Sequence, residues 1–155
     1  MFKNAYLIFN PVSGQGNAPL ERALIEEAFQ SANVPLVVLE TTEDISASEL
    51  ARAAVNKQAD CVIASGGDGT VSAVAGELCR TGICLGIVPR GTANAIAAAF
   101  GISNNISEAC EVILAGAAHK IDMAACNGHP LLLLAGIGLE ADVVSQANRQ
   151  LKDKI

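Results

Sequence analysis

Short apolar runs alternate along this chain with longer segments in which apolar residues recur at helical spacing. The first run is Ala5–Phe9, and the segment after it places Leu20, Leu24 and Phe29 on one helical face. Continuous apolar runs of about five residues are typical of parallel strands buried on both faces, because a half-exposed strand would alternate apolar and polar positions. The pattern therefore predicts strands that alternate with helices.

Four strands followed by helical segments account for the chain as far as Ala115. The predicted strands are Ala5–Phe9, Val34–Leu39, Cys61–Ala64 and Cys84–Val88. The first predicted helix follows an Asn17 cap, and the second runs from Ser46 or Ser48 to near Lys57. The third spans Val71–Cys79, the fourth ends at Phe100 and the fifth spans Ile106–Ala115. Asn and Ser favour these starts because their side-chain oxygens accept hydrogen bonds from the first free N–H groups of a helix.

Beyond Ala115 the sequence predicts a hairpin and a polar helix. A strand near His119–Ala124 and a second strand at Pro130–Ala135 flank the two-residue turn Asn127-Gly128. Gly136-Ile137-Gly138 then opens a helix over Leu139–Lys152. The whole order predicts an α/β fold, a three-layer and mainly parallel sheet with a C-terminal β-hairpin and helix.

Composition supports a buried parallel sheet and argues against some partners. The chain is 51% hydrophobic, and that content is aliphatic because there is no Trp and only one Tyr. A net charge of −6 argues against a nucleic-acid binder, which would show a basic face. The same charge opposes strong attraction to anionic lipids and leaves at most transient contact with a membrane surface. A homodimer through an edge strand of the hairpin is left open.

Cysteine usage and the apolar runs indicate where the protein works. Five cysteines occur without CxxC or Cys/His spacing, which predicts reduced, mostly buried thiols rather than disulfides or a zinc site. No signal peptide is recognisable, and no apolar run reaches the ~20 residues that a membrane span needs. We therefore expect a soluble cytoplasmic protein.

The most informative segment is the glycine-rich loop Gly66–Thr70, between a predicted strand and a predicted helix. Its three glycines leave backbone N–H groups open to a ligand, and the helix that follows points its positive end at the same place. An acidic residue inside an anion site is explained if a divalent cation bridges the Asp68 carboxylate and a phosphate. Asp68 as a simple helix cap is the alternative. The segment predicts a nucleotide–metal loop.

Three further polar segments follow predicted strands. They are Asn10–Gly14, the pair Thr41 and Thr42, and Gly91–Asn94. In a parallel sheet these segments meet at the carboxyl edge, where ligands of such folds bind. Each also has a plain interpretation as a turn or a helix cap, which the sequence leaves open. Arg90 beside them supplies either a cation for phosphate or an exposed loop residue.

Three motifs in this order carry a family resemblance. Asn10-Pro11-x-Ser13-Gly14, Gly66-Gly67-Asp68-Gly69-Thr70 and Pro89-x-Gly91-Thr92-x-Asn94 resemble the catalytic domain of the diacylglycerol kinase-like lipid kinases, especially the bacterial YegS/BmrU-type branch. The resemblance implies one nucleotide-binding domain over residues 1–155, related to those of NAD kinases and phosphofructokinases. It also implies transfer of the γ-phosphoryl group of ATP to a lipid hydroxyl such as that of diacylglycerol, with Mg²⁺, in phospholipid metabolism.

Motif and resemblance together give the candidate site. Asp68 is the candidate catalytic residue and the candidate Mg²⁺ ligand. The candidate nucleotide-binding residues are Asn10, Pro11, Val12, Ser13, Gly14, Thr41, Thr42, Gly66, Gly67, Asp68, Gly69, Thr70, Gly91, Thr92 and Asn94.

Departures from the family pattern keep two other functions open. Val71-Ser72-Ala73 stands where the family usually has Leu-Asn-Glu, and Ala95 stands where an acidic residue is frequent. Family members also carry a second, β-rich domain, so we expect this chain to be a fragment with weak or no kinase activity alone. The alternatives are an NAD kinase-like small-molecule kinase and a non-catalytic nucleotide-binding module.

Overall fold

A computed structural model describes residues 2–14 and 16–133 and shows strands and helices in the predicted alternation. The elements are β1 (Ala5–Phe9), α1 (Ala18–Ser31), β2 (Leu36–Glu40), α2 (Ala47–Asn56), β3 (Cys61–Gly66), α3 (Asp68–Leu78), β4 (Cys84–Pro89), α4 (Ala95–Ala99), α5 (Ile106–Ala115), β5 (Ala124–Cys126) and β6 (His129–Leu131). The first four strands form one parallel sheet in the order β2-β1-β3-β4, and β5 pairs with β6 in an antiparallel hairpin.

The parallel sheet separates two apolar layers. Leu7 and Phe9 of β1 pack with α1 and α5 on one face, whereas Ile8 packs with α2 and α3 on the other. This alternation follows from the two-residue period of a strand, and burial on both faces explains the continuous apolar runs in the sequence. The predicted three-layer α/β fold is confirmed.

Local side-chain bonds fix where two helices begin. The Asn17 side chain accepts a hydrogen bond from the Leu20 N–H at 3.3 Å, as predicted for the start of α1. Ser46 caps α2, and Ser48 lies inside that helix. Ser46 Oγ accepts from the Glu49 N–H, while the Glu49 carboxylate accepts from the Ser46 N–H at 2.8 Å, which completes a capping box.

Several predicted boundaries are wrong, and two of them concern the glycine-rich loop. Strand β3 continues to Gly66, not only to Ala64, and β4 continues to Pro89. Strand β2 begins at Leu36, not at Val34, and continues to Glu40. Helix α3 begins at Asp68, not at Val71, because Gly67 already serves as the N-cap in extended conformation. The second half of the predicted loop is therefore the first turn of α3.

The C-terminal hairpin is shorter than predicted. Asn127 and Gly128 both have positive φ, which confirms the two-residue turn. The predicted strand at His119–Ala124 is wrong except at Ala124, because residues 117–122 lie exposed and pair with no strand among the described residues. The second strand stops at Leu131, and the predicted helix Leu139–Lys152 lies outside the described residues.

The five cysteines are all free, but only part of the burial prediction holds. Cys61 and Cys110 are buried, and burial raises the pKa of the Cys61 thiol to about 12 and that of Cys110 to about 11. Cys84 is half-buried, whereas Cys79 and Cys126 are exposed, so "mostly buried" is wrong for these two. Among the described helices, none combines the length and apolar character of a membrane span.

The capping box of α2 predicts a small, acid-sensitive contribution to stability. The hydrogen bonds from Ser46 lower the pKa of Glu49 below its ordinary value of 4.5. A carboxyl with a lowered pKa in the folded state stabilises the fold above its unfolded pKa, and this stabilisation is lost as the pH falls through the folded pKa.

We therefore expect Glu49→Gln to lose less stability than the parent chain between neutral pH and a pH below 4.5. The measurement is the urea midpoint at both pH values. Glu111→Gln, on the exposed face of α5, serves as a control that should follow the parent chain. Equal acid losses in the parent and Glu49→Gln would contradict the assignment.

Candidate functional site

Three strand exits border one cleft at the carboxyl edge of the sheet. The cleft has a volume of about 470 Å³, within the size range of small-molecule sites. Its lining comes from the segments after β1 and β2 and from the first turns of α2 and α3: Asn10, Val12, Ser13, Thr41, Thr42, Ile45, Ser46, Ala47, Gly67, Gly69, Thr70 and Ala73. The cleft thus brings together predicted residues that lie far apart in the sequence.

The segment after β1 is held in place by a buried arginine. The Arg90 guanidinium donates to the Glu21 carboxylate at 2.6 Å, to the Asn10 carbonyl at 2.8 Å and to the Ser13 carbonyl at 3.1 Å. It also lies 4.1 Å from the centre of the Phe9 ring. Arg90 is only 5% exposed, so neither predicted role, a phosphate ligand or an exposed loop residue, is correct.

Two residues of the same segment have structural duties. Asn10 donates from Nδ2 to Thr70 Oγ1 at 3.1 Å, and its Oδ1 accepts from the Val12 N–H. Gly14 has φ +85°, and a Cβ there would lie 2.5 Å from the Arg90 carbonyl oxygen. Pro11 lines a neighbouring groove, together with Phe9 and α1 residues, and not the cleft itself. The segment is therefore braced on both sides.

Glycines join the exits of β3 and β4. A Cβ on Gly91 would lie 2.6 Å from the Gly67 Cα, so the two backbones are in direct contact. A Cβ on Gly66 would lie 2.5 Å from Thr70 Oγ1. Gly69 differs, because a Cβ there would meet nothing within 4 Å. Close packing thus explains three of these glycines, and only Gly69 opens onto free space.

Asp68 and Asn94 face the β4 exit instead of lining the cleft. The Asp68 carboxylate accepts hydrogen bonds from the N–H groups of Ala95 at 3.1 Å and Ile96 at 2.9 Å. Asn94, in left-handed conformation, bonds the Gly91 N–H and carbonyl and the Asn104 side chain. Thr92 lies exposed on the turn between them.

The segment after β2 contributes to the cleft mainly through its turn. The Thr41 N–H donates to the Phe9 carbonyl at 2.9 Å and ties this exit to β1. Thr42 Oγ1 accepts from the N–H groups of Asp44 and Ile45, which shapes the turn that leads into α2. Both threonines border the cleft, as predicted.

The donor set for a metal ion is thin. Within residues 2–14 and 16–133 no group of three or more His, Cys, Asp or Glu side chains is placed to hold one. Glu43, Asp44 and Asp68 are each adjacent in sequence to a lining residue, and both oxygens of Asp68 accept hydrogen bonds from α4. Mg²⁺ needs only one or two protein carboxylates when phosphates and waters complete its shell, so Asp68 as its ligand stays a prediction.

Residues 4–126 match the diacylglycerol kinase catalytic domain. The chain belongs to this family. The diacylglycerol kinase of Bacillus subtilis is 31% identical over 97% of this chain and 50% of its own length. An uncharacterized Synechocystis protein is 46% identical over 99% of this chain and 38% of its own length.

Solved structures of the diacylglycerol kinase family agree with this assignment. A diacylglycerol kinase from Bacillus anthracis superposes with a TM-score of 0.75 at 32% identity, over 83% of this chain and 45% of that one. The chain spans half or less of the length of these relatives. The family resemblance carried by the motifs is confirmed.

Sequence reasoning missed four lining residues and the long-range contacts of Arg90 and Asp68. Ser46 and Ala47 could have been found, because α2 also starts at the carboxyl edge with a capping residue. Nothing in the sequence distinguishes Ile45 or Ala73 from its neighbours as a lining residue. The Arg90–Glu21 pair joins residues 69 positions apart, and no local pattern indicates it.

The buried position of Arg90 predicts an uneven response to loss of two arginines. Arg90→Met leaves Glu21 and two carbonyls without their donor, and we expect a loss of about 2 kcal/mol or more in the free energy of unfolding. Arg52→Met breaks the exposed pair with Glu77 and should cost less than about 1 kcal/mol. Urea unfolding of both variants checks this. Equal losses would show that the Arg90 contacts do not support the fold.

Proposed function

We propose that this chain is the nucleotide-binding domain of a lipid kinase, which holds ATP in the cleft and presents its γ-phosphoryl group to a lipid hydroxyl. The observation that carries the proposal is the start of α3. Val71 is the first residue whose N–H bonds back to the Gly67 carbonyl, so the N–H groups of Asp68, Gly69 and Thr70 have no partner inside the helix. Gly69 has open space in front of it.

Phosphates fit this end of the cleft on physical grounds. An eleven-residue helix directs its positive end and free N–H groups at the space beside Gly69. The Thr70 hydroxyl accepts from Asn10, so its own proton is free to turn toward an anion. Ser13 also lines the cleft and offers a second hydroxyl. Phosphoryl transfer depends mainly on such positioning and charge stabilisation.

We place the nucleoside against the apolar lining residues. Val12 and Ile45 border the cleft, and 89% of Val12 and 43% of Ile45 are exposed. Apolar side chains left open at the mouth of a polar cleft suit the flat face of a base. Thr41, Thr42 and Ser46 supply polar atoms beside them for the ribose or base edges.

Mg²⁺ is the cation expected for phosphoryl transfer, where it neutralises charge on the phosphates. Because both oxygens of Asp68 already accept hydrogen bonds from α4, we do not assign Asp68 as its ligand. Thr92 and Asn94 on the β4 exit remain proposed contributors, Thr92 through its exposed hydroxyl and Asn94 through the shape of the turn.

Three versions of this proposal differ in the phosphoryl acceptor: diacylglycerol, NAD, or none in a non-catalytic module. Relatives named diacylglycerol kinase favour diacylglycerol, which a kinase would meet through transient contact with a membrane surface. A non-catalytic module is favoured by Ala73, which borders the cleft with a methyl group where the family resemblance implies a carboxylate. An NAD kinase-like activity has no comparable observation in its support.

A substitution at Gly69 tests ligand binding in the cleft separately from the stability of the fold. Gly69→Ala adds one methyl group that meets no protein atom, and alanine favours a helix over glycine by up to about 1 kcal/mol. We expect the unfolding free energy to stay equal or rise. Affinity for ATP, measured by calorimetry, should fall by about tenfold or more because the methyl group occupies the phosphate position. Unchanged affinity would place the phosphates elsewhere.

The acceptor is tested with radiolabelled ATP and Mg²⁺, offered together with vesicles that contain diacylglycerol or with NAD. We expect label in the lipid, at a low rate for this chain, and none in NAD. Label in NAD would overturn the lipid acceptor. Because weak or no activity is expected of this chain alone, only tight ATP binding without label in either acceptor by the full-length protein would favour the non-catalytic module.

A further inference from the structure

We propose that Asp68 is a positioning residue that locks α4 to the start of α3, and that it keeps this contact when a metal–nucleotide complex binds. This inference rests on the proposed function for its second part only. The first part, the anchoring of α4, concerns contacts present without any ligand.

The contact uses both oxygens of the carboxylate. Oδ2 accepts from the Ala95 N–H at 3.1 Å, and Oδ1 accepts from the Ile96 N–H at 2.9 Å. These are the first N–H groups of α4, and Asn94 at the N-cap makes no side-chain cap bond to them. An ionised carboxylate makes stronger bonds to N–H groups than a neutral acceptor does, and it suits the positive end of a helix. Asp68 therefore caps a helix other than its own.

Two backbone contacts run beside this side-chain contact. The Arg90 N–H donates to the Gly66 carbonyl at 2.9 Å, which extends the pairing of β3 and β4 past the sheet edge. Gly67 and Gly91 touch through their backbones. Asp68 follows Gly67 directly, so its hydrogen bonds to α4 and the backbone contact together hold the ends of β3 and β4 as one unit. Thr92 lies on the turn that the lock holds.

Turning the carboxylate toward the cleft would have a cost. It would leave the N–H groups of Ala95 and Ile96 without their acceptor, and Ile96 is only 3% exposed. A buried N–H group without a partner is unfavourable enough that a metal ion would have to compensate for two such losses. Mg²⁺ commonly keeps several waters and is bound in part by substrate phosphates. We infer that the cation is held by the nucleotide and not by Asp68.

The first experiment needs no ligand and measures amide hydrogen exchange by NMR. Asp68→Ala should speed exchange of the Ala95 and Ile96 amides by about tenfold or more, whereas Asp68→Asn, which keeps one acceptor oxygen, should protect one of the two. Glu108→Gln is the matched control, because Glu108 is also an acidic residue in the first turn of a helix. Unchanged exchange at both amides in Asp68→Ala would overturn the lock.

The second experiment adds a non-hydrolysable ATP analogue, without and then with Mg²⁺, to the parent chain and to Asp68→Asn. We expect both amides of the parent to stay protected in both states. The gain in affinity on adding Mg²⁺ should be equal in the two proteins. Loss of protection on adding Mg²⁺, or a gain that only the parent shows, would make Asp68 a metal ligand and overturn the inference.

A double substitution separates positioning from a general loss of fold. If Asp68 acts through the β4 exit, Thr92→Ala should weaken nucleotide binding in the parent but change it little in Asp68→Ala. Additive losses would contradict positioning. If the parent binds no nucleotide at all, the proposed lipid kinase function fails, and the exchange experiment still decides whether Asp68 anchors α4.

Discussion

The shape of the cleft depends on one buried cation. Arg90 is almost fully removed from water, and its guanidinium must therefore be matched by acceptors in fixed positions. Glu21 supplies the charge, and the carbonyls of Asn10 and Ser13 accept the remaining donors that the structure shows. Both residues line the cleft. The hydrogen bonds that satisfy the cation therefore also fix the segment after β1 relative to Arg90 at the end of β4.

The glycines of the two motifs serve the fold more than the ligand. Gly67 and Gly91 allow two backbones to touch, and Gly66 leaves room for the side chain of Thr70. A motif rich in glycine is commonly explained by access of a ligand to the backbone, and here only Gly69 has the open space that this explanation requires. The distinction matters because substitutions at the packed positions would disturb the fold and the cleft together.

Local patterns in the sequence predicted what local physics decides. The strands, the Asn17 and Ser46 caps and the Asn127-Gly128 turn depend on neighbours within a few residues. The meeting of the strand exits followed from parallel topology. The partners of Arg90 and Asp68 lie 69 and about 27 positions away, so their duties depend on the folded arrangement and not on spacing. In the sequence Asp68 is only an acidic residue in a glycine-rich loop, which predicts a metal ligand. In the fold both its oxygens accept hydrogen bonds from N–H groups of α4.

The electrostatics of the cleft favour a ligand that brings its own cation. Among the described residues that border it there is no Lys or Arg, and the nearby Arg90 is already paired with Glu21. The positive character of the cleft comes from the starts of α2 and α3, each equivalent to about half a charge. A bare triphosphate carries far more negative charge than this, and the chain itself has a net charge of −6. A nucleotide already complexed with a divalent cation presents less charge, and two helix ends suffice to orient it.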